Sequence, residues 1–271
     1  TYDEYAKIPG INFSTIKHMR DSPKACRAVL DADSRDGDTD SRAMLRFQHA
    51  LVLEPEVVER DFAFFTGKTS QGKAWDEANA EASKAGQTIV KAGTPTKKRD
   101  IAAARAMAKV VRAHPDVAHA LLTGETEVVV EGMDKEWGRI IKSRQDLLSP
   151  MWWLDMKDYG STNHRHCGRR AWDLGAVHQA AFNRRCLIAA GRRLPEHWGL
   201  ICVQSKPYID AVRLTIDPND IDAADAELTK WVGRLAECER TNTWPGHSDG
   251  MLDLPSYAFA PEIEDFTFGE E

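Results

Sequence analysis

The chain has 271 residues and a formal charge of −6, with 42% apolar and 29% charged residues, the balance of a water-soluble globular protein. No run approaches the roughly 20 apolar residues of a membrane-spanning helix, and the first ten residues hold no apolar signal core, so secretion is not expected. Membrane-spanning, fibrous and largely disordered classes are excluded.

In chain order, residues 11–30 are predicted helical, with Ser14 as a cap and Ile11, Ile16, Met19 and 25–30 as apolar positions. Residues 31–41 (DADSRDGDTDS) form an acidic loop whose Asp spacing does not fit a twelve-residue calcium loop. Helices are expected at 43–53, stopping near Pro55, at 67–85 and at 95–113, the last ended by His114-Pro115. The first 120 residues therefore read as mostly helix.

The texture then changes. β-Branched 127–131, then 137–146 and 152–157 are strand candidates, with Ser149-Pro150 as a turn. A basic helix is predicted at 169–190, strands at 199–204 and 209–216, and a closing helix at 219–240. This order implies an α+β or α/β fold about a mixed sheet, not a repeat protein. The acidic tail 261–271 reads either as a solvating disordered end or as a peptide that docks on a partner.

Five cysteines, widely spread and without a C-x-x-C pair, argue against a disulfide framework or zinc ribbon, and a reducing cytoplasm is the expected compartment. From Lys135 to Arg193, twelve Lys/Arg stand against five acids, a net +7 inside an acidic chain. Such a stretch suits a polyanion, and it equally suits a solvated helix face. His164-Arg165-His166-Cys167 lacks a second ligand pair and reads as a basic loop touching phosphates or as a solvated one. Arg144, Arg165, Arg169, Arg170, Arg184 and Arg185 are the candidate contacts to a nucleic-acid backbone. Trp152-Trp153 reads as sheet core plus one exposed ring.

Asp155 and Lys157 flank Met156 on a predicted strand, so period-two alternation points both the same way. A tight turn at 149–150 would bring Asp146 opposite 153–154, one step from Asp155. Two carboxylates beside an ammonium suit a hard divalent cation with phosphate oxygens.

These residues carry a family resemblance. Asp146…Asp155-Met156-Lys157 resembles the PD-(D/E)XK nuclease core, with Gln145 where a proline often stands. The wider pattern is similar to the exonuclease VIII (RecE-type) and RecB-like nucleases, from about Ile11 to Phe259: His49 in QHALVLEPE, Glu127 opening the strand before the hairpin, Gln179 in VHQAAF, then Trp244-Pro245 and Leu254-Pro255. Leu45 departs from the glycine usual four residues before the motif His, and Asp158-Tyr159 from the usual Thr-Thr.

The resemblance implies a restriction-endonuclease-like mixed sheet flanked by helices: a mostly helical part at 1–120, a nuclease core at 121–260, and the tail. It implies Mg²⁺, or Mn²⁺, held by Asp146, Asp155, His49 and the Met156 carbonyl, with Glu127 completing the shell. Lys157 would serve the attacking water and Gln179 would hold the water, Lys157 or the phosphate. It further implies a deoxyribonuclease digesting linear double-stranded DNA from 5′ ends in recombination or repair, a ring-like homo-oligomer (trimer or tetramer), and a single-strand annealing partner protein. A structure-specific or single-strand endonuclease, and a non-catalytic DNA- or partner-binding module, are the rival readings.

Overall fold

Pro23 divides the segment expected as one helix over 11–30, because proline has no amide to donate and its ring clashes with a preceding helical turn. In the structure, a computed structural model describing residues 2–32, 40–67, 71–91, 101–204 and 208–247, that segment becomes several pieces. Helix α1 (Tyr2–Lys7) is followed by α2 (Phe13–Ile16), a 3-10 turn at Lys17–Arg20, and α3 (Pro23–Asp31). Asn12, rather than Ser14, caps α2 by accepting from the Thr15 amide, and Ser22 caps α3 by accepting from Ala25. Most of the acidic loop, residues 95–100, Leu254-Pro255 and the tail lie outside the described residues.

Helix α4 (Asp40–Leu53) stops before Pro55, and α5 (Val58–Asp61) leads into β1 (Phe62–Phe65). Then come α6 (Lys73–Lys84), β2 (Thr88–Lys91), α7 (Ile101–Ala113) and α8 (Pro115–Thr123). Strands β1 and β2 pair in parallel, an addition to the mostly helical reading of this half, which holds no predicted strand. Four residues each are too few to show a period, and Phe47 of α4 covers the pair, its ring 5.6 Å from Phe62 and 5.3 Å from Phe64.

The main sheet has the order β3 (Glu125–Asp134), β4 (Arg139–Leu148), β5 (Trp152–Asp158), β6 (His197–Gln204), β7 (Asp210–Thr215). All neighbours are antiparallel except β5 and β6, which are parallel and joined by α9 (His164–Asp173) and α10 (Ala176–Ala189). Gly175, at φ 78°, splits the helix predicted at 169–190. The long α11 (Pro218–Thr241) closes the fold.

The sheet is covered on both faces, so β5 and β6 are buried almost throughout. On one face α10 and α11 bring Phe182, Leu187, Ile221 and Leu228 against Trp153 and Leu200. On the other, α4, α7 and α8 bring Val52, Met107, Val111 and Val117 against Leu147, Trp152, Leu154 and Met156. Both tryptophans are therefore core, and the expected exposed ring is absent. Each such side chain contributes about 1.5–3 kcal/mol of transfer free energy. The fold is the mixed α/β architecture expected. Among the described residues no helix is long and apolar enough to cross a membrane.

Strand β4 pairs with β3 along its length but with β5 only at Leu147–Leu154 and Leu148–Trp153, so β4 and β5 splay into a fork. The far end of the fork is closed by the N-terminal segment: Ile11 donates to Ile140 O at 3.0 Å and accepts from the Lys142 amide at 2.9 Å. Gly10 makes this approach feasible, since a Cβ there would lie 2.7 Å from Ile140 O.

Candidate metal centre

The register aligns three carboxylates. Pairing of Thr126 with Leu147 and Val128 with Gln145 leaves Glu127 across from Asp146, and pairing of Leu147 with Leu154 places Asp146 across from Asp155. The tight-turn expectation of 153–154 is thus off by one residue. The rung is also where the ladder breaks: no pairing joins 127 to 146, and Glu127 has φ 51°, left-handed backbone that costs a non-glycine residue about 1–3 kcal/mol. Strand β4 slips its alternation at the same place. Gln145 donates to Asn183 O on the α10 side, yet Leu148, three residues on, packs into that same core while Leu147 packs into the other.

Helix α4 adds the fourth group. His49 Nδ1 lies 3.5 Å from Asp146 Oδ2, and His49, Glu127 and Asp146 each offer a ligand atom within 4.8 Å of the others. Asp146 Oδ2 also accepts from the Met156 amide at 3.1 Å. Met156 contributes that N–H, while its side chain is core.

Asp155 faces a different set of partners. Lys157 Nζ stands 2.6 Å from its Oδ2 as an ion contact off the line of a hydrogen bond. Gln179 Nε2 donates to its Oδ1 at 3.1 Å, and Lys157 donates to Gln179 Oε1 at 3.0 Å, closing a three-membered ring of side chains. Gln179 is fixed in the first turn of α10, its amide donating to Gly175 O at 2.8 Å.

Crowded buried carboxylates resist ionisation. Burial, reinforced by Asp146, pushes Glu127 up to about 7 against the pull of Arg144. Burial also raises Asp155 to about 7, opposed by Lys157 and reinforced by Asp146. His49 is lowered by burial, with Asp146 opposing. Burial acts to lower Lys157, yet Asp155 and Asp146 outweigh it and raise the ammonium. A divalent cation relieves this repulsion, and a donor set of carboxylate oxygens with one imidazole fits such an ion. His49, Glu127 and Asp146 are placed to hold it, with Asp155 adjoining.

The arginines separate into two groups. Arg165, Arg169 and Arg170 lie on the exposed surface of α9. Arg184 pairs with Asp222 at 2.7 Å, and Arg185 sits in a cage of Asp225 (2.5 Å), Glu136 (2.9 Å) and Asp134 (3.2 Å) with its plane 4.3 Å from the Trp137 ring. Arg185 is thereby a half-buried structural cation held by three acids, and the expectation that it contacts phosphate is corrected. Arg144 is not free for phosphate either: its Nε lies 2.5 Å from Glu127 Oε2. In His164-Arg165-His166-Cys167 the cysteine is buried and its thiol donates to Ser161 O at 3.1 Å, so the four residues do not converge.

Two features escaped the sequence. Lys17, on the 3-10 turn after α2, is lowered by desolvation and by the positive charge of Lys157. The bond from Arg144 to Glu127 joins residues that differ by seventeen in number, and only the register reveals it.

Comparison with known proteins bears on the family and the fold. The family model described as a PDDEXK-like domain of unknown function (DUF3799) matches residues 12–252. Among solved structures, the chain is similar to one from Eubacterium rectale described as a "putative exonuclease", with a TM-score of 0.57, 12% identity, and coverage of 94% of this chain and 93% of that one. At that identity the likeness concerns the fold. No curated protein matches the sequence.

Proposed function

From the premise that this chain belongs to the DUF3799 family of PDDEXK-like domains, we propose that it is a metal-dependent deoxyribonuclease that hydrolyses phosphodiesters. The observation that carries this reading is the rung of Glu127, Asp146 and Asp155 at the splay of β4 and β5, with His49 on one side and the Lys157–Gln179 pair on the other. When bound there, Mg²⁺ or Mn²⁺ neutralises phosphate charge and acidifies a coordinated water.

The chain's own residues supply the rest. Asp146 is fixed by the Met156 amide and Asp155 by Gln179 and Lys157, so the acids are pre-oriented before substrate arrives. Lys157 keeps its proton and presents a positive charge beside the attacked phosphorus, where it orients the water and stabilises the developing oxyanion. The exposed arginines of α9 lie in the segment that follows β5, a suitable place to hold the DNA backbone.

The finer reading is an exonuclease of the RecE type. It acts on linear double-stranded DNA from 5′ ends, as a ring-like trimer or tetramer, and hands a 3′ strand to an annealing protein in recombination or repair. The neighbour described as a "putative exonuclease" supports this choice.

A time course on linear and covalently closed DNA with Mg²⁺ or Mn²⁺, with Asp155→Ala beside the parent, tests both levels. Loss of linear DNA alone, abolished by the substitution, is expected. Cutting of circles would replace the exonuclease by an endonuclease. No cleavage with either ion would leave a non-catalytic DNA-binding module.

A further inference from the structure

Glu127 is the weakest-held member of the rung. It lies on β3, the outer strand of the sheet, at the one rung where the β3–β4 ladder is interrupted, and its own backbone is left-handed. A glutamate in such a place has three side-chain torsions and a backbone outside the regular residue pairing. Asp146 and Asp155, by contrast, are each tied by a hydrogen bond from a neighbouring group. What restrains Glu127 is Arg144. It stands opposite Val129, a diagonal step from Glu127, and its Nε contacts Glu127 Oε2 at 2.5 Å.

We propose that Arg144 is a positioning residue of the metal centre: it clamps one oxygen of Glu127 so that the carboxylate is presented to a cation shared with His49 and Asp146. The inference rests on the metal-dependent reading above and deepens it. It also replaces the role expected for Arg144 as a DNA contact. Ligating carboxylates are commonly oriented by outer partners, and loss of such a partner typically weakens metal binding about 10- to 100-fold. Arginine suits the task because its planar fork fixes the carboxylate in direction as well as in distance.

The charge of Arg144 provides a sharp opposing prediction. A guanidinium near a divalent cation repels it, so an arginine acting by charge alone would weaken metal binding, and its removal would tighten it. A clamp gives the reverse. Neither outcome is expected of a phosphate contact, which alters the salt dependence of DNA binding instead.

The test is a Mn²⁺ titration of the full chain, without DNA, followed by calorimetry or by the electron-spin signal of free Mn²⁺. Arg144→Met is expected to weaken Mn²⁺ binding about 10- to 100-fold, and Arg144→Lys by less. Glu127→Gln is expected to weaken it at least as much as Arg144→Met. The double variant Glu127→Gln with Arg144→Met should be no worse than Glu127→Gln alone, because the clamp then has nothing to hold. Unchanged or tighter Mn²⁺ binding in Arg144→Met, or additive losses in the double variant, would overturn the proposal. Should Arg144→Met fail to fold, Arg144→Lys carries the same comparison, judged by whether its Mn²⁺ affinity falls. The titration reads the clamp even if the parent cleaves no DNA, so failure of the nuclease reading and failure of this one are told apart.

Discussion

Lys157 and Gln179 grip opposite oxygens of a single carboxylate. Lys157 Nζ lies 2.6 Å from Asp155 Oδ2, Gln179 Nε2 donates to Oδ1 at 3.1 Å, and the two grips are joined at 3.0 Å. Strand β5 supplies Asp155 and Lys157 by simple alternation, whereas Gln179 arrives from α10, so the ring ties the sheet to the helix above it. The ammonium is consequently aimed by two partners rather than left on a flexible stem.

The first prediction concerns that aim. Gln179→Leu keeps the helix and removes both contacts. Single-turnover cleavage should slow about 10- to 100-fold while DNA affinity is unchanged, as for loss of an outer partner at a metal site. A fall in DNA affinity with no change in the single-turnover rate would instead make Gln179 a DNA-holding residue.

Acidity in the metal-free protein gives a second. Glu127 rises from 4.5 to about 7 on folding, so the folded chain holds that proton more tightly than the unfolded one. The sign follows from linkage: the contribution is full below about pH 4.5 and is lost as pH rises to about 7. Glu127→Gln, melted in chelator, should therefore be more stable than the parent at pH 8, by roughly 3 kcal/mol at most. The difference should close near pH 5. A variant no more stable at pH 8 contradicts the expectation.

Metal binding must work against the same protons. Mg²⁺ or Mn²⁺ should raise the melting temperature, with about 2.7 kcal/mol of added stability at a hundredfold excess over the dissociation constant. Because Glu127 and Asp155 both sit near 7, the rise should be larger at pH 8 than at pH 6 for the same metal concentration. Thermal melts at the two pH values decide it.

The basic segment divides into arginines that should meet DNA and arginines that should hold the fold. Arg165→Ala and Arg170→Ala are each expected to weaken DNA binding uniformly across sequences and to lower the salt slope by about 1. Arg185→Ala should instead lower stability, because Asp134 and Asp225 lose their half-buried partner. Binding isotherms at several salt concentrations, beside denaturant melts, separate the two classes.

What the sequence made legible follows physical range. Strand alternation set Asp155 beside Lys157, and the strands expected at 127–131, 137–146 and 152–157 all appear with ends shifted by a few residues. Breaks set by one residue were missed, as at Pro23 and Gly175, because apolar periodicity ran on through both. The pair β1–β2 was missed since its partners are far apart in the chain and only four residues long. Charge counting over Lys135–Arg193 carried least, because partner acids come from β3 and α11, outside or at the edge of that window: Glu125, Glu127, Asp222, Asp225 and Glu239 each neutralise an arginine in it.

The groups at the rung come from three separate layers. His49 belongs to α4, packed under one face of the sheet, the acids belong to the sheet itself, and Gln179 belongs to α10 on the other face. An ion seated on His49, Glu127 and Asp146 is thus a rivet through the lower seam of the protein. Withdrawing it should let α4 breathe away from the sheet while α10 stays seated, so amide hydrogens of α4 would exchange faster in chelator than those of α10. The chain would then loosen along the same seam in which the proposed ion sits.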